Sequence, residues 1–269
     1  MTTARVLDRD LIFIKLGGSL ITDKDRTETA RVDLIRALLG QLKQQLFAHP
    51  ELKVVLGHGS GSFGHHAAKK FATRNGVFGE EDWLGYQAVW QSARKLNQIV
   101  VEQSQAVGLP VIAFPPSAAI VTDNHTIVKW DLAPMRIALS HNLIPIVYGD
   151  VASDLNIGGT ILSTEDLFFH LAQKFHPGRI LLAGMEKGVY ADYPHNREVL
   201  PFIASDANLE TRLEGSASVD VTGGMVSKVS LMQAICRAIP GIQIHIFSGT
   251  DPANLGKAIE GLSIGTLIA

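Results

Sequence analysis

Four glycine-rich segments carry lysine, histidine or carboxylate side chains at spacings suited to gripping a polyanion. The first is Lys15-Leu16-Gly17-Gly18-Ser19, with Lys24 nine residues beyond Lys15. Paired glycines let a backbone turn tightly and bring its N–H groups close to a ligand, and flanking ammonium groups offset phosphate charge. The same residues also make an ordinary glycine turn with two solvated lysines. The second segment, Gly57-His58-Gly59-Ser60-Gly61-Ser62-Phe63-Gly64-His65, precedes a helix-compatible run from His66. Small residues before a helix N-terminus leave N–H groups unpaired where the helix dipole is positive, so this segment reads as a phosphate binder. His65 can donate a hydrogen bond to a substrate phosphate, or form an exposed surface pair with His66.

The third segment runs from Tyr148-Gly149-Asp150-Val151 through Asn156-Ile157-Gly158-Gly159 to Ser163-Thr164-Glu165-Asp166. Ser163 and Asp166 have capping-box spacing, so Asp166 serves a helix N-terminus, and a carboxylate there can also orient nearby lysines. The fourth joins Ala183-Gly184-Met185-Glu186-Lys187-Gly188-Val189-Tyr190 to Asp220-Val221-Thr222-Gly223-Gly224-Met225-Val226-Ser227-Lys228. Gly223-Gly224 opening a helix repeats the anion-site logic, with Lys228 inside the first two turns.

Competing glycine motifs fail on context. Gly59, Gly61 and Gly64 match the dinucleotide fingerprint, but the acidic residue expected at the end of the next strand is replaced by Glu80, Glu81 and Asp82, which open a long helix. Gly256-Lys257 is followed by Ala258, and Asp251 stands where a P-loop needs its first glycine.

These segments must be held by something, and the pattern of the chain says what. Short β-rich apolar runs occur at Leu11 to Leu16, Lys53 to Leu56, Pro110 to Phe114, Leu143 to Tyr148, Arg179 to Ala183 and Gln243 to Phe247. Between them, helical spacing runs over Val32 to Phe47, Asp82 to Val107, Asp131 to His141, Ser163 to Phe175 and Gly223 to Ile239. Alternation of this kind predicts an α/β fold, an open and mainly parallel sheet sandwiched by helices. Ala119 to Lys129 and Val151 to Leu162 break the alternation and read as hairpins projecting from the sheet, with turns at Asp123-Asn124 and Gly158-Gly159. No Pro/Gly/Ser-rich linker interrupts the chain, which predicts one α/β unit over residues 1–269.

The formal charge of −2, with no long run of Lys or Arg, gives no electrostatic footprint for nucleic acid or an anionic membrane. The single cysteine, Cys236, excludes an internal disulfide framework and a Cys-rich zinc site. Met1 to Asp10 is charged and lacks the apolar stretch of a signal peptide, and no segment approaches a membrane span, so a cytoplasmic protein is expected.

Glycine loops with interspersed lysines, and no Ser-His-Asp or metal cluster, suit phosphoryl transfer, where a protein mainly positions groups and stabilises charge. The order of these pieces resembles the amino acid kinase superfamily over nearly the whole chain. Lys15-Leu16-Gly17-Gly18-Ser19 with Lys24, followed by His58-Gly-Ser-Gly-Ser-Phe-Gly-His65, resembles the isopentenyl phosphate kinase family within it. The histidine after Ser-Phe-Gly is the discriminating piece. The resemblance implies transfer of the ATP γ-phosphoryl group to isopentenyl phosphate, with His65 hydrogen-bonding the acceptor phosphate. It implies that Lys15, Lys24 and Lys228 stabilise the transferring group and that Asp166 organises these lysines. It further implies that Gly61, Gly64 and Gly159 present backbone to the phosphates, and that Gly17, Gly18, Ser19, Met185, Gly188, Tyr190, Gly224, Ser248 and Gly249 lie near the nucleotide.

By the same resemblance, an N-terminal lobe of about residues 1–175 binds the acceptor, a C-terminal lobe of about residues 176–269 binds ATP, and the protein is a homodimer. An apolar pocket holds the isoprenoid tail, with Tyr86 to Val100 as its candidate wall. Mg²⁺ accompanies ATP, and no carboxylate cluster in the sequence marks a dedicated metal site. Ser60 stands where many members carry glycine or alanine. Fosfomycin kinases resemble the same subgroup and share the glycine-loop histidine, so a small-acid kinase is one alternative, and a nucleotide-binding protein without catalysis is another.

Overall fold

Near-continuous apolar runs in the central strands need cover on both faces of a sheet, and helices supply it. The computed structural model describes residues 7–64, 71–192, 195–207 and 224–269. Its eight-stranded sheet contains β1 (Asp8–Leu16), β2 (Lys53–His58), β3 (Val111–Ala113), β6 (Ile144–Tyr148), β9 (Pro177–Gly184), β10 (Phe202–Ile203), β11 (Gln243–Ser248) and β12 (Thr266–Ile268), in the spatial order β10-β12-β11-β9-β1-β2-β6-β3. All neighbours pair in parallel except β11 and β12, which run antiparallel.

Successive side chains of each strand enter different cores. Leu11 and Phe13 of β1 join Val55, Val147, Ile180, Leu182, Ile244 and Ile246 on one face. That face is covered by α5 (Ala133–Ser140), α6 (Thr164–Phe175) and α7 (Gly224–Ala238). Ile12, Ile14 and Leu16 join Val54, Leu56, Ile146, Leu181 and Phe247 on the other. There the cover is α2 (Val32–Ala48), α3 (Glu80–Ala106) and α8 (Ala253–Ile259). The alternation also fixes Lys15: two residues after Phe13, it must share the face that carries α6 and α7.

The six predicted strands and the five longer predicted helices are present, with ends shifted by a few residues, whereas the helical run expected from His66 begins outside the described residues. The short strands β10 and β12, the helix α8 and the single helical turns at Gly18–Ile21 and Pro116–Ala119 are among the additions; pieces of two to seven residues leave little periodicity to read. The predicted hairpins are also found, as β4 (Ile120–Asp123) with β5 (Thr126–Trp130), and β7 (Asp150–Asp154) with β8 (Gly158–Leu162). They do not project separately. β4 and β7 pair in parallel, giving a second sheet in the order β5-β4-β7-β8. The first turn falls on Asn124 and His125, both at positive φ, the conformation that matches strand twist in a two-residue hairpin.

Asp154, 5% exposed, pins both turns. Its carboxylate accepts hydrogen bonds from the N–H groups of Asn124, His125, Asn156 and Ile157 and from Thr122 Oγ1. Burial acts to raise its pKa, but these donors outweigh burial and hold the group well below the usual carboxylate range.

Phe168 of α6 is fully buried against Phe13, ring centroids 5.1 Å apart. Phe168→Ala is expected to lower unfolding free energy by about 3–5 kcal/mol in urea titrations, against less than about 0.5 kcal/mol for Phe47→Ala on the exposed face of α2. Equal effects would contradict this core.

Candidate active site

Chain leaving the C-terminal ends of parallel strands converges on one side of the sheet, the usual place for a ligand in an open α/β fold. Lateral backbone bonds tie these exits together: Gly17 N–H to Ala183 O at 2.8 Å, Gly59 N–H to Leu16 O at 3.1 Å, Gly149 N–H to His58 O at 3.3 Å and Gly249 N–H to Gly184 O at 2.9 Å. Above them opens a cleft of about 620 Å³.

The first two glycine segments form one side of the cleft and interlock. A Cβ placed on Gly18 would lie 2.3 Å from the N of Gly61, and one on Gly59 would lie 2.7 Å from the N of Gly18. Only glycine permits that approach, and Gly61, at φ +49°, also needs the left-handed region. Residues 61–64 form a helical turn. His65, the residue expected to meet the acceptor phosphate, lies outside the described residues, as do Asp220 to Gly223.

Lys15, Lys24 and Lys228 all line the cleft, together with Gly17, Gly18, Ser19, Gly61, Gly64 and Met185. Lys15 is 8% exposed and ion-pairs with Glu165 at the start of α6. Burial alone would raise the Glu165 pKa; the charge and hydrogen bond of Lys15, with the charge of Lys228 behind them, outweigh it and lower the pKa from its ordinary value. Lys228 is half-buried, and burial, then the like charges of Lys15 and Lys24, push its pKa down while Glu165 pulls the other way.

Asp166, expected to organise the lysines, has different partners. Ser163 N–H and Oγ–H donate to its Oδ2 at 2.8 and 2.7 Å, and Asp166 N–H donates back to Ser163 Oγ at 3.1 Å. That is the capping box read from the sequence, and Arg74 Nη2 stands 3.7 Å from the same oxygen. The lysine-organising geometry belongs to Glu165, one residue earlier. The signal was the capping box itself: once Asp166 is committed to its helix end, the neighbouring carboxylate is the one left to face the cleft. Arg74, also in the lining, had no signal.

Several expected residues stand behind the wall. Gly159 packs under Tyr86 and Val77, and Gly188 under Thr266 and Val199. Tyr190 bridges to Val199. Ser248 Oγ–H donates to Met185 O at 3.1 Å, so the Ser248-Gly249 turn braces the loop that lines the cleft. Gly224 opens α7, whose Met225 and Lys228 reach the lining. From the predicted tail wall, Val89 and Ala93 of α3 face the cleft beside Ile161 and Leu162. Among the described residues, no three His, Cys, Asp or Glu side chains come together as a metal cage.

A buried polar layer supports the glycine loops from below. His58 is 1% exposed and stacks on Tyr148 with ring centroids 5.3 Å apart. Its Nδ1 lies 3.1 Å from Gly59 O and its Nε2 lies 3.1 Å from Asn97 Nδ2. A carbonyl only accepts and an amide nitrogen only donates, which fixes the neutral tautomer with its proton on Nδ1. Burial lowers the His58 pKa to about 4. Asp150, fully buried, receives Ser117 N–H at 3.4 Å on Oδ2, and its Oδ1 has no hydrogen-bond partner among the described residues. Burial raises its pKa to about 6. The arrangement can bind and orient a chain of phosphates beside an apolar recess, with three cations where charge is to be moved.

The amino acid kinase family model matches residues 10–248. Isopentenyl phosphate kinase of Methanothermobacter thermautotrophicus is 31% identical, across 96% of this chain and 98% of that protein. The enzyme of the same name from Methanocaldococcus jannaschii is 30% identical, with the same shares covered. A crystal structure of an isopentenyl phosphate kinase superposes with a TM-score of 0.82 at 26% identity, covering 96% of this chain and 100% of that one.

The two buried titratable groups act on stability with opposite signs. His58, neutral when folded, contributes stability present above its unfolded pKa of 6.5 and lost as pH falls toward about 4. Asp150, costly when ionised, becomes less so as pH falls from about 6 toward 3.8, and stability rises. Each effect is on the order of 3 kcal/mol at most. Urea midpoints between pH 6.5 and 4.5 are expected to rise on acidification in His58→Gln and to fall in Asp150→Asn, relative to the parent protein; parallel profiles for all three would refute both assignments.

Proposed function

We propose, on the premise that this chain belongs to the amino acid kinase family and within it to the isopentenyl phosphate kinases, that it transfers the γ-phosphoryl group of ATP to isopentenyl phosphate, giving isopentenyl diphosphate and ADP. The observation that carries this reading is the convergence of Lys15, Lys24 and Lys228 on one cleft that also has an apolar recess at Val89, Ala93, Ile161 and Leu162. A terminal oxygen of the acceptor phosphate attacks the γ-phosphorus in line, and the bond from that phosphorus to the β,γ-bridging oxygen breaks, so ADP leaves with its electron pair. The acceptor phosphate is already largely ionised near neutral pH and needs no general base.

Each lysine has a role in this reading. Lys15, held by Glu165, and Lys228 meet the ATP phosphates and the charge that builds on the β,γ-bridge, and Lys24 meets the transferring group from the opposite side. The pKa of Lys228 is lowered first by burial and then by the like charges of Lys15 and Lys24, and a polyphosphate offsets that repulsion. His65 and the backbone of Gly61 and Gly64 receive the acceptor phosphate. Val89, Ala93 and Ile161 receive its hydrocarbon tail. Residues to about 175 supply the acceptor side and the remainder supplies the nucleotide side. In this reading Mg²⁺ enters as part of the nucleotide substrate. The reading extends to a homodimer acting in the cytoplasm; β3, with Ile112 41% exposed, ends the larger sheet and is a natural edge for a second copy.

An ADP-release assay with MgATP tests the reaction, with isopentenyl phosphate and fosfomycin as parallel acceptors. Turnover of isopentenyl phosphate is expected, with kcat falling about 10²–10³-fold in Lys15→Ala and Lys228→Ala. His65→Ala is expected to raise the acceptor KM most. Turnover of fosfomycin alone would overturn the substrate, and ATP binding without ADP release on any phosphorylated acceptor would overturn the enzyme.

A further inference from the structure

Lys24 reaches the cleft from an exposed loop at residues 23–29, between α1 (Gly18–Ile21) and α2. An exposed lysine on such a loop has many conformations open to it, and a catalytic ammonium group needs few. The loop is closed at its base by the bridge between Thr22 and Ala30 and by Asp23 N–H to Thr29 O at 2.9 Å. Its far side is fastened by one residue. Glu28 Oε1 accepts from Ser92 Oγ at 2.8 Å and Oε2 accepts from Lys95 Nζ at 2.8 Å, both on α3. Glu28 N–H points to Ser62 O at 3.5 Å, and Thr29 N–H to Ser62 Oγ at 3.4 Å, in the second glycine segment. Ser62 N–H in turn donates to Thr22 Oγ1 at 2.9 Å.

Two further observations mark Glu28 as a held residue. Its φ of +49° lies in the left-handed region, which a side chain with a Cβ adopts only when its surroundings demand it. Its side chain is 31% exposed although ionised, so a surface pair has been drawn partly out of water. The Lys95 hydrogen bond keeps its pKa lowered against the opposing effect of burial. The anchor helix is also the helix that presents Val89 and Ala93 to the cleft. One element therefore sets both the apolar wall and the height of the lysine loop above it.

We propose that Glu28 is a positioning residue that places Lys24 over the transferring phosphoryl group by clamping loop 23–29 to Ser92 and Lys95 of α3. The inference rests on the role proposed above for Lys24. Ser92 fixes the direction of the carboxylate through Oε1, and Lys95 supplies the charge that holds Oε2. Neither is part of the cleft lining, so their effect on turnover passes through the lysine.

The test is a kinetic double-mutant cycle on MgATP and isopentenyl phosphate with Lys24→Ala, Glu28→Ala and the double variant, each checked for an unchanged thermal midpoint. Lys24→Ala is expected to lower kcat about 10²-fold and Glu28→Ala about 10-fold, with little change in either KM. In the Lys24→Ala background, Glu28→Ala should then add nothing, because a clamp without its lysine has nothing to place. Lys95→Ala, at an exposed position, should give a smaller loss that also vanishes in the Lys24→Ala background. The exchange Glu28→Lys with Lys95→Glu should recover part of the activity. Multiplying losses in the double variant, or full activity in Glu28→Ala beside impaired Lys24→Ala, would overturn the clamp. Full activity in Lys24→Ala would instead overturn the proposed role of Lys24, and the clamp with it.

Discussion

Mutual repulsion among three ammonium groups is the constraint around which this molecule is arranged. Lys15, Lys24 and Lys228 face one cleft, and the carboxylate placed among them is that of Glu165. In a half-buried setting like charges repel strongly, so each cation must be held by a different part of the fold. Lys15 is held by strand register, because the face of β1 that carries Phe13 also carries the lysine two residues on. Lys228 is held within a helix, α7, packed on that same face. Lys24 comes from the other side, on a loop between α1 and α2. The lining carries Lys15, Lys24, Arg74 and Lys228 against Glu165 and Glu186, a positive excess that suits a polyanion such as a polyphosphate.

Room for that polyphosphate depends on backbone approaching backbone. The interlocked glycines 18, 59 and 61 bring two strand exits closer than any side chain would allow. The layer beneath is polar and buried, with His58 bridging Gly59 O and Asn97 and stacking on Tyr148. Thr164 Oγ1 donates to His58 O at 2.6 Å, which ties the start of α6, and with it Glu165, to the same loop. Support and chemistry are thus continuous from β2 to α6.

Much of this was legible in the sequence because it is periodic or carried by glycine. Strands β1, β2, β6, β9 and β11 and the five longer helices follow from apolar spacing, and the glycine loops with their lysines follow from composition at strand ends. What escaped is what depends on which of two adjacent groups turns inward. Glu165 and Asp166 differ by one residue, and only helix capping separates their directions. Gly159 and Gly188 sit at plausible spacings yet pack against Tyr86, Val77, Thr266 and Val199, which no spacing reveals. The clamp at Glu28 joins residues 64 and 67 positions apart, beyond any local pattern. Pairing between the two hairpins is a long-range event of the same kind.

That pairing has a consequence for how such a chain can change over time. Because Asp154 collects the turns of both hairpins on a single carboxylate, neither hairpin is an independent module. Lengthening one alone would take donors away from a buried negative charge. Remodelling the recess beside β8 is therefore a problem of two hairpins and one shared acid, so a transplanted hairpin has to bring donors that fit the acid already there.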